Sequence, residues 1–168
     1  MNLEFDGQKM LLAHYNARSE IHGEEREPVG DLKFEATLEN DCLAMVHPTL
    51  KSSLYYLDGA READLADRGK RGEKGYLPHL RFPALAAPIK WEEEMVGAYL
   101  RIEPKGGKPI ELEAVKVHKL EITPRDFGMV DLAFKASVHP TEPQMGRLCA
   151  LIQAEVSITL SASDEGKA

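Results

Sequence analysis

Polar and apolar residues alternate along much of this chain, which is the pattern of β-strands with one buried face. The clearest stretch covers residues 129–138, and a second covers residues 152–160. In both stretches every second side chain is apolar. The pattern predicts that seven of these side chains are buried: Val130, Leu132, Phe134, Val138, Val156, Ile158 and Leu160.

The same alternation predicts strands in the first part of the chain. Residues 3–5 and 9–21 form a candidate hairpin, because Asp6-Gly7 between them is a turn signal. Residues 23–28 are rich in glutamate and are predicted to be a solvated connection. A further alternating strand follows at residues 32–38.

A second candidate hairpin lies in the middle of the chain. Residues 96–102 alternate, Gly106-Gly107 supplies a turn, and residues 110–122 follow as a long strand. In that strand the apolar positions shift from even to odd and back again. Such a change of face predicts a bulge or a bend, as occurs when one strand serves two sheets.

Helical spacing of apolar residues marks two short segments. Pro48 begins a helix that is predicted to end near Tyr56, after a short helical turn that starts at Asp41. Residues 141–151 predict a second helix. With about eight strands, these elements predict an α+β, mainly β fold: an antiparallel sandwich or barrel in a single domain over residues 1–168. The tail at residues 161–168 is expected to fray.

The segment from residue 58 to about residue 76 differs from the rest in its many glycines and charges, and is predicted to be a mobile surface loop. Proteins that bind single strands combine a cationic track for phosphates with aromatic side chains that stack on bases. We therefore expect the loop and its neighbours to bind nucleic acid through Arg68, Lys70, Arg71, Lys74, Tyr76, Trp91, Lys105 and Lys108. A solvated loop without a function is the alternative interpretation of the same charges.

The net charge of -7 argues against a broadly basic nucleic-acid surface, but it is compatible with a local basic groove. No apolar run reaches the roughly 20 residues of a membrane span, and residues 1–6 lack the features of a signal peptide. Cys42 and Cys149 are predicted to be buried free thiols in a reducing compartment. We expect a cytoplasmic protein.

The residue types of catalytic and metal sites are present without the spacing that such sites need. None of the six histidines forms a pair at i, i+3 or i+4, and no cysteine pair has zinc spacing. The side chains of Glu92, Glu93 and Glu94 do not converge, because neighbours on a strand point to opposite faces. No nucleophile elbow, phosphate-binding loop or dinucleotide fingerprint occurs. The sequence predicts a protein that is not an enzyme and needs no metal or cofactor.

Several short segments carry a resemblance to a known family: residues 30–34, 40–43, 47–55, 80–83, 89–91 and 146–153. With them the chain resembles a family of small phage and prophage proteins, and the resemblance covers most of the chain. Genes of this type lie near phage recombination and replication functions. The resemblance implies an accessory role in DNA metabolism, or one against host defences, in the cytoplasm of a bacterial host. It implies no catalytic residues.

Three functions are therefore considered. The first is a non-enzymatic binding protein of phage DNA metabolism that contacts single-stranded DNA or a recombination protein. The second is an acidic anti-defence inhibitor of a host nuclease or CRISPR-type complex, suggested by the net charge and by the glutamates at residues 24–27 and 92–94. The third is a structural or assembly protein with a self-complementary apolar interface. A homo-oligomer is compatible with all three.

Overall fold

The structure, a computed structural model, describes residues 1–57, 75–85 and 88–162. Its strands, in chain order, are β1 (Phe5–His22), β2 (Glu25–Glu39), β3 (Tyr55–Tyr56), β4 (His79–Leu80), β5 (Ile89–Trp91), β6 (Met95–Pro104), β7 (Ile110–Pro124), β8 (Met129–Val138) and β9 (Glu155–Ser161). Two α-helices, α1 (Leu50–Leu54) and α2 (Glu142–Ala150), and two short 3-10 helices, Asn40–Met45 and Asp126–Gly128, connect them.

Six of these strands form a closed antiparallel barrel. Around the barrel the order is β7, β6, β9, β1, β2 and β8, and β8 pairs again with β7 to close the ring. Closure gives every strand of the ring two neighbours over at least part of its length, so the ring itself has no terminal strand. The predicted fold class is confirmed, in its barrel form.

The inner face of the barrel is the hydrophobic core. All seven side chains predicted to be buried are at most 2% exposed. The ring of Phe134 packs between those of Phe5 and Phe34, with centroid distances of 6.1 and 5.5 Å. The alternation in β8 therefore identified the centre of the core.

The change of face in the long strand β7 is also confirmed. Ala114 and Lys119 have φ of 53° and 51°, and the register of β7 shifts against both of its neighbours. These two bends let the first part of β7 pair with β6 while the second part pairs with β8. One bent strand thus joins both sides of the ring.

One end of the barrel is covered by residues 40–56 and 75–80. Tyr55 is fully buried there, and its hydroxyl donates to the carbonyl of Met129 at 2.5 Å. Burial raises the pKa of Tyr55 to about 12. The side-chain amide of Asn40 donates to the carbonyl of Leu77 at 2.8 Å, which ties the segment before β4 to the 3-10 helix.

The opposite end is covered by α2. Thr141 and Gln144 form a capping box, in which each side chain accepts a hydrogen bond from the backbone N–H of the other residue. Leu148 is buried against the core, and the Gln144 side chain also donates to the carbonyl of Glu111 at 3.1 Å. These contacts fix the helix over the turn between β6 and β7.

The predicted hairpin within residues 3–21 is wrong, because β1 runs straight through the turn signal. Gly7, at φ 64°, lies at a bulge instead, where the register of β1 against β9 shifts between Phe5 and Gln8. A tight turn and a bulge both use a glycine with positive φ, so the local sequence did not distinguish them.

The predicted connection at residues 23–28 is also wrong. Only Gly23 and Glu24 form the turn, and β2 begins at Glu25, opposite His22. The pair Gly30–Val138 is the last one between β2 and β8. Between this pair and the turn, β1 and β2 pair only with each other. We call this two-stranded extension, residues 18–29, the arm. Its polar residues are in strands because of cross-strand pairing rather than burial.

The predicted start of the last strand, the predicted end of the helix after Pro48 and the predicted burial of the cysteines are wrong. The last strand begins at Glu155, three residues later than expected, because residues 151–153 form a turn. The helix after Pro48 ends at Leu54, since the next two residues pair with β4. Both cysteines are free, but Cys149 is exposed and Cys42 is only partly buried, so they are not the buried thiols expected.

The predicted mobile loop and frayed tail fall largely outside the described residues. Residues 58–74 and 163–168 belong to the undescribed part of the chain. At the end of the loop, the carbonyl of Gly75 accepts a hydrogen bond from the Lys51 ammonium. Ser161, which was assigned to the tail, is the last residue of β9.

Replacement of Phe134 by alanine tests the core. We expect a loss of about 3–5 kcal/mol in the free energy of unfolding, the usual range for deleting a buried phenyl ring. Urea denaturation measures it. Phe82→Ala is the matched control, because the Phe82 side chain is 60% exposed and should contribute little. Similar losses in the two variants would contradict the assigned core.

Phe127 tests the turn between β7 and β8. Its φ is 63°, a left-handed conformation that glycine adopts without strain, and its side chain is 74% exposed. We expect Phe127→Gly to be more stable than Phe127→Ala by about 1 kcal/mol, the reverse of the usual order. Equilibrium unfolding of the two variants decides this, and a more stable alanine variant would refute the strained turn.

Candidate functional site on the outer face of the barrel

A row of basic side chains crosses four neighbouring strands on the outer face of the barrel. The register places His14 opposite Lys33, Lys33 opposite Lys135, and Lys135 opposite His118. On both sides of Lys33 and Lys135, and before His14 and His118, the adjacent residues are buried in the core. Side chains directly opposite each other have Cβ atoms about 4.5–5.5 Å apart, so the four side chains form one continuous row.

Lys33 and Lys135 form the centre of this row. Like charges directly opposite each other destabilise a sheet. Lys33 is partly compensated, because its ammonium lies 3.2 Å from Glu35 Oε1. Among the described residues Lys135 has no ion pair within 4.0 Å. Within the described part of the chain, Lys135 is thus opposite another lysine and is not paired with a carboxylate.

The row continues into a groove between β5 and the outer faces of β2, β7 and β8. We call it the lysine groove, and its lining residues are Lys33, Lys90, Trp91, Glu92, Glu94, His118, Lys119, Leu120, Glu121 and Lys135. Four lysines face three glutamates. One of these glutamates, Glu94, is already paired at 2.9 Å with Lys116, which lies outside the groove. The groove is thus locally positive on a chain whose net charge is -7.

A neighbouring depression shares Lys33 and Glu121 with the lysine groove, but its charge is different. It runs across β1, β2, β7 and β8, and its acidic residues are Glu35, Glu121, Asp131 and Glu155, against the two lysines Lys9 and Lys33. Of the two depressions, the lysine groove is therefore the better candidate for an anionic ligand.

Trp91 is held in the wall of the groove by polar and aromatic contacts. Its indole N–H donates to Glu93 Oε2 at 3.2 Å, and its ring centroid lies 6.2 Å from that of His47. Glu93 also pairs with the N-terminal ammonium. The Trp91 side chain is partly buried, so it combines an anchored position with an accessible surface.

His118 belongs to a hydrogen-bonded group at the edge of the groove. Its Nε2 lies 2.8 Å from the hydroxyl of Ser137, which donates to Asp31 Oδ1 at 2.5 Å. The distance from His118 Nε2 to Asp31 Oδ1 is 4.0 Å. In a nucleophilic relay the histidine lies between the hydroxyl and the carboxylate. Here the hydroxyl lies between them and donates its hydrogen bond to the carboxylate, so the group orients His118 rather than activating Ser137.

Burial lowers the pKa of His118 below its ordinary value of 6.5. The negative charge of Asp31 opposes this shift, while Lys116 and Lys119 add to it. His118 is therefore mainly neutral near neutral pH. A bound anion would favour its protonated form, because an opposite charge nearby stabilises the charged imidazole.

The structure separates the residues that the sequence predicted as a nucleic-acid site. Arg68, Lys70, Arg71 and Lys74 lie outside the described residues. Trp91 lines the lysine groove, whereas Tyr76 lies in the segment that leads to β4 and does not line it. Lys105 and Lys108 are in the exposed turn between β6 and β7, at the barrel end that α2 covers. Lys105 and Lys108 do not line the lysine groove with Trp91, and the expected extension of the basic loop by these two lysines stays a prediction, because the loop lies outside the described residues.

Five basic residues of the groove were not predicted: Lys33, Lys90, His118, Lys119 and Lys135. Lys33, Lys90 and Lys135 have no basic residue next to them in the sequence, and alternation indicated that Lys33 and Lys135 face outward. His118 and Lys119 are consecutive, and both line the groove because β7 bends at Lys119. Only the register of β2, β7 and β8 brings these basic residues together, and the register is a long-range property of the barrel.

No cluster of three or more potential metal ligands occurs in the described part of the chain. Within the same residues, no helix is long and apolar enough to cross a membrane. Comparisons of the chain with known protein families, with curated proteins and with solved structures found no match. Its function is therefore inferred from the geometry of its own residues.

The pKa of His118 makes stability depend on pH. The folded state binds its proton more weakly than the unfolded state, so this contribution to stability is present above pH 6.5 and is lost as pH falls through the lowered folded pKa. We expect acidification from about pH 7 to about pH 5 to destabilise the wild type more than His118→Gln. Urea denaturation at several pH values, with an NMR titration of His118, measures this. An NMR pKa at or above 6.5 would contradict it.

Proposed function

We propose that the protein is a non-enzymatic binding protein that holds single-stranded DNA in the lysine groove. The observation that supports this most is the placement of Lys33 directly opposite Lys135. Such a pair costs stability in the free protein. A phosphate between the two ammonium groups would convert that cost into a favourable contact, so the arrangement is understandable as a binding feature.

Trp91 favours a single strand over a duplex. In a duplex the faces of the bases are stacked on one another, whereas a single strand can present them to an aromatic side chain. Trp91 lies in the same groove as the lysines and is anchored through its indole N–H. Phosphates would contact the lysines while a base stacks against the indole ring. Such a protein suits the accessory role in phage DNA metabolism that the sequence resemblance implies.

The arm favours a second candidate, an acidic inhibitor of a host nuclease or CRISPR-type complex. Glu20, Glu24, Glu25 and Glu27 are clustered near its turn, and Glu20 lies directly opposite Glu27. Carboxylates presented in this way could bind lysines and arginines that otherwise contact DNA. In this case the arm, rather than the lysine groove, would carry the function.

Substitution of two lysines distinguishes the groove from the rest of the surface. Lys33→Gln/Lys135→Gln should weaken binding of a fluorescent oligonucleotide and lower the salt slope of log K by about 1.4, since each single-strand phosphate contact contributes about 0.7. Stability should be unchanged or slightly higher, because the opposed charges are removed. Fluorescence anisotropy at several salt concentrations measures the binding, and quenching of Trp91, the single tryptophan, reports stacking.

Lys105→Gln/Lys108→Gln is the matched control, because it removes the same charge at the far end of the barrel. It should leave the salt slope nearly unchanged. A third variant, with glutamine at Arg68, Lys70, Arg71 and Lys74, measures how much the basic loop contributes to oligonucleotide affinity. Equal losses of oligonucleotide affinity in the groove and control variants would indicate non-specific electrostatic attraction and contradict a site in the groove. If the wild type binds no oligonucleotide at low salt, the proposal is refuted.

A further inference from the structure

One edge of β1 is left without a partner over much of its length. The strand pairs with β9 as far as Leu11, and the backbone of Leu12 and the carbonyl of Ala13 make the last contacts on that side. From His14 to His22, no described residue forms a backbone hydrogen bond with this edge. Nine residues of extended backbone thus lack a strand partner on this side, a situation that proteins usually prevent or use. Glu142 and Met145 of α2 share a surface depression with three of them, Ala17, Arg18 and Ser19.

Two side chains along this edge, those of Ile21 and Glu20, have unfavourable surroundings. Ile21 is 67% exposed although it is a large apolar residue. Glu20 lies opposite Glu27 of β2, which is an unfavourable pairing of like charges. Arg18, two residues away on the same face, reaches Glu20 at 2.8 Å and Asp31 at 3.3 Å. The His22 imidazole lies 3.6 Å from the other oxygen of Glu20. A further cation near Glu20 would offset its repulsion by Glu27, and an apolar group beside Ile21 would cover its exposed side chain.

A second copy of the same edge supplies both groups. In an antiparallel pair of two β1 strands centred on Ser19, Arg18 of each copy lies opposite Glu20 of the other. In the same register Ala17 lies opposite Ile21, so apolar residues meet on the other face. The sequence of this edge is therefore complementary to itself under a two-fold axis.

The neighbouring registers lack this complementarity. If the register shifted by one residue, each residue would lie directly opposite one whose side chain points to the other face of the sheet, which regular strand pairing does not allow. A shift of the centre to residue 18 places Arg18 opposite its own copy, and a shift to residue 20 does the same for Glu20. Both put like charges directly opposite each other. Of these three registers, the one centred on Ser19 pairs opposite charges.

We propose that two copies of this chain form a dimer through the free β1 edges, in antiparallel register centred on Ser19. The two sheets then continue across the two-fold axis. The barrels lie at opposite ends of the paired strands, because each strand leaves its own barrel in the opposite direction. The proposal does not use the lysine groove, and it holds whether or not that groove binds DNA.

Charge exchange between copies tests the register. Arg18→Glu and Glu20→Arg, each alone, place like charges opposite each other twice in the dimer, so each should weaken self-association about tenfold or more. The double variant Arg18→Glu/Glu20→Arg restores both pairs and should dimerise as the wild type does. Sedimentation equilibrium of the full chain, with 18.7 kDa for one copy, measures the association.

Mixing provides the decisive control. The Arg18→Glu chain carries two acids at these positions and the Glu20→Arg chain carries two bases, so an equimolar mixture should form a heterodimer that neither chain forms with itself. A role of Arg18 confined to one chain, such as its contact with Asp31, cannot produce this result. A monomeric wild type at high concentration, or a mixture that associates no better than its parts, would refute the proposal.

Discussion

Closure of the barrel between β7 and β8 is the contact on which the rest of the molecule depends. Because β7 bends at Ala114 and Lys119, it can pair with β6 along its first part and with β8 along its second. A straight strand could not follow both neighbours around so small a ring. The closed ring buries the core on its inside. On its outside, the same seam brings His118 beside Lys135 and thereby completes the basic row.

Much of the fold follows from the alternation of residues, because burial on one face of a strand imposes a period of two. The core residues of β8 and the change of face in β7 were predictable for this reason. The second strand of the arm was not, since its polar residues are held by cross-strand hydrogen bonds that leave no apolar pattern. The lysine groove was not predictable either. Lys33 and Lys135 are distant in sequence, and only the register of β2 and β8 brings them together. The charges near Arg68 are contiguous, so the sequence alone shows them as a cluster.

The arm and the lysine groove differ in their balance of charge. Residues 18–29 hold four glutamates and two arginines, whereas the lysine groove is lined by four lysines and three glutamates. The net charge of -7 bears on the solubility of the whole molecule, but it does not give the local charge of the arm or of the lysine groove. Two surfaces of opposite sign on one small barrel allow separate contacts with an anionic ligand and with protein, including a second copy of the chain.

The pairing of β1 with β9 governs the order in which the chain folds. Phe5 lies opposite Leu160, so the ring includes a contact between residues that are nearly a whole chain apart. The β7–β8 hairpin joins segments that are close in sequence, whereas the edges of β1 and β6 pair with β9, which is distant in sequence from β1. Contacts of such high sequence separation slow folding and leave strand edges exposed until they form. The ring therefore closes only when β9 has paired with both of its neighbours.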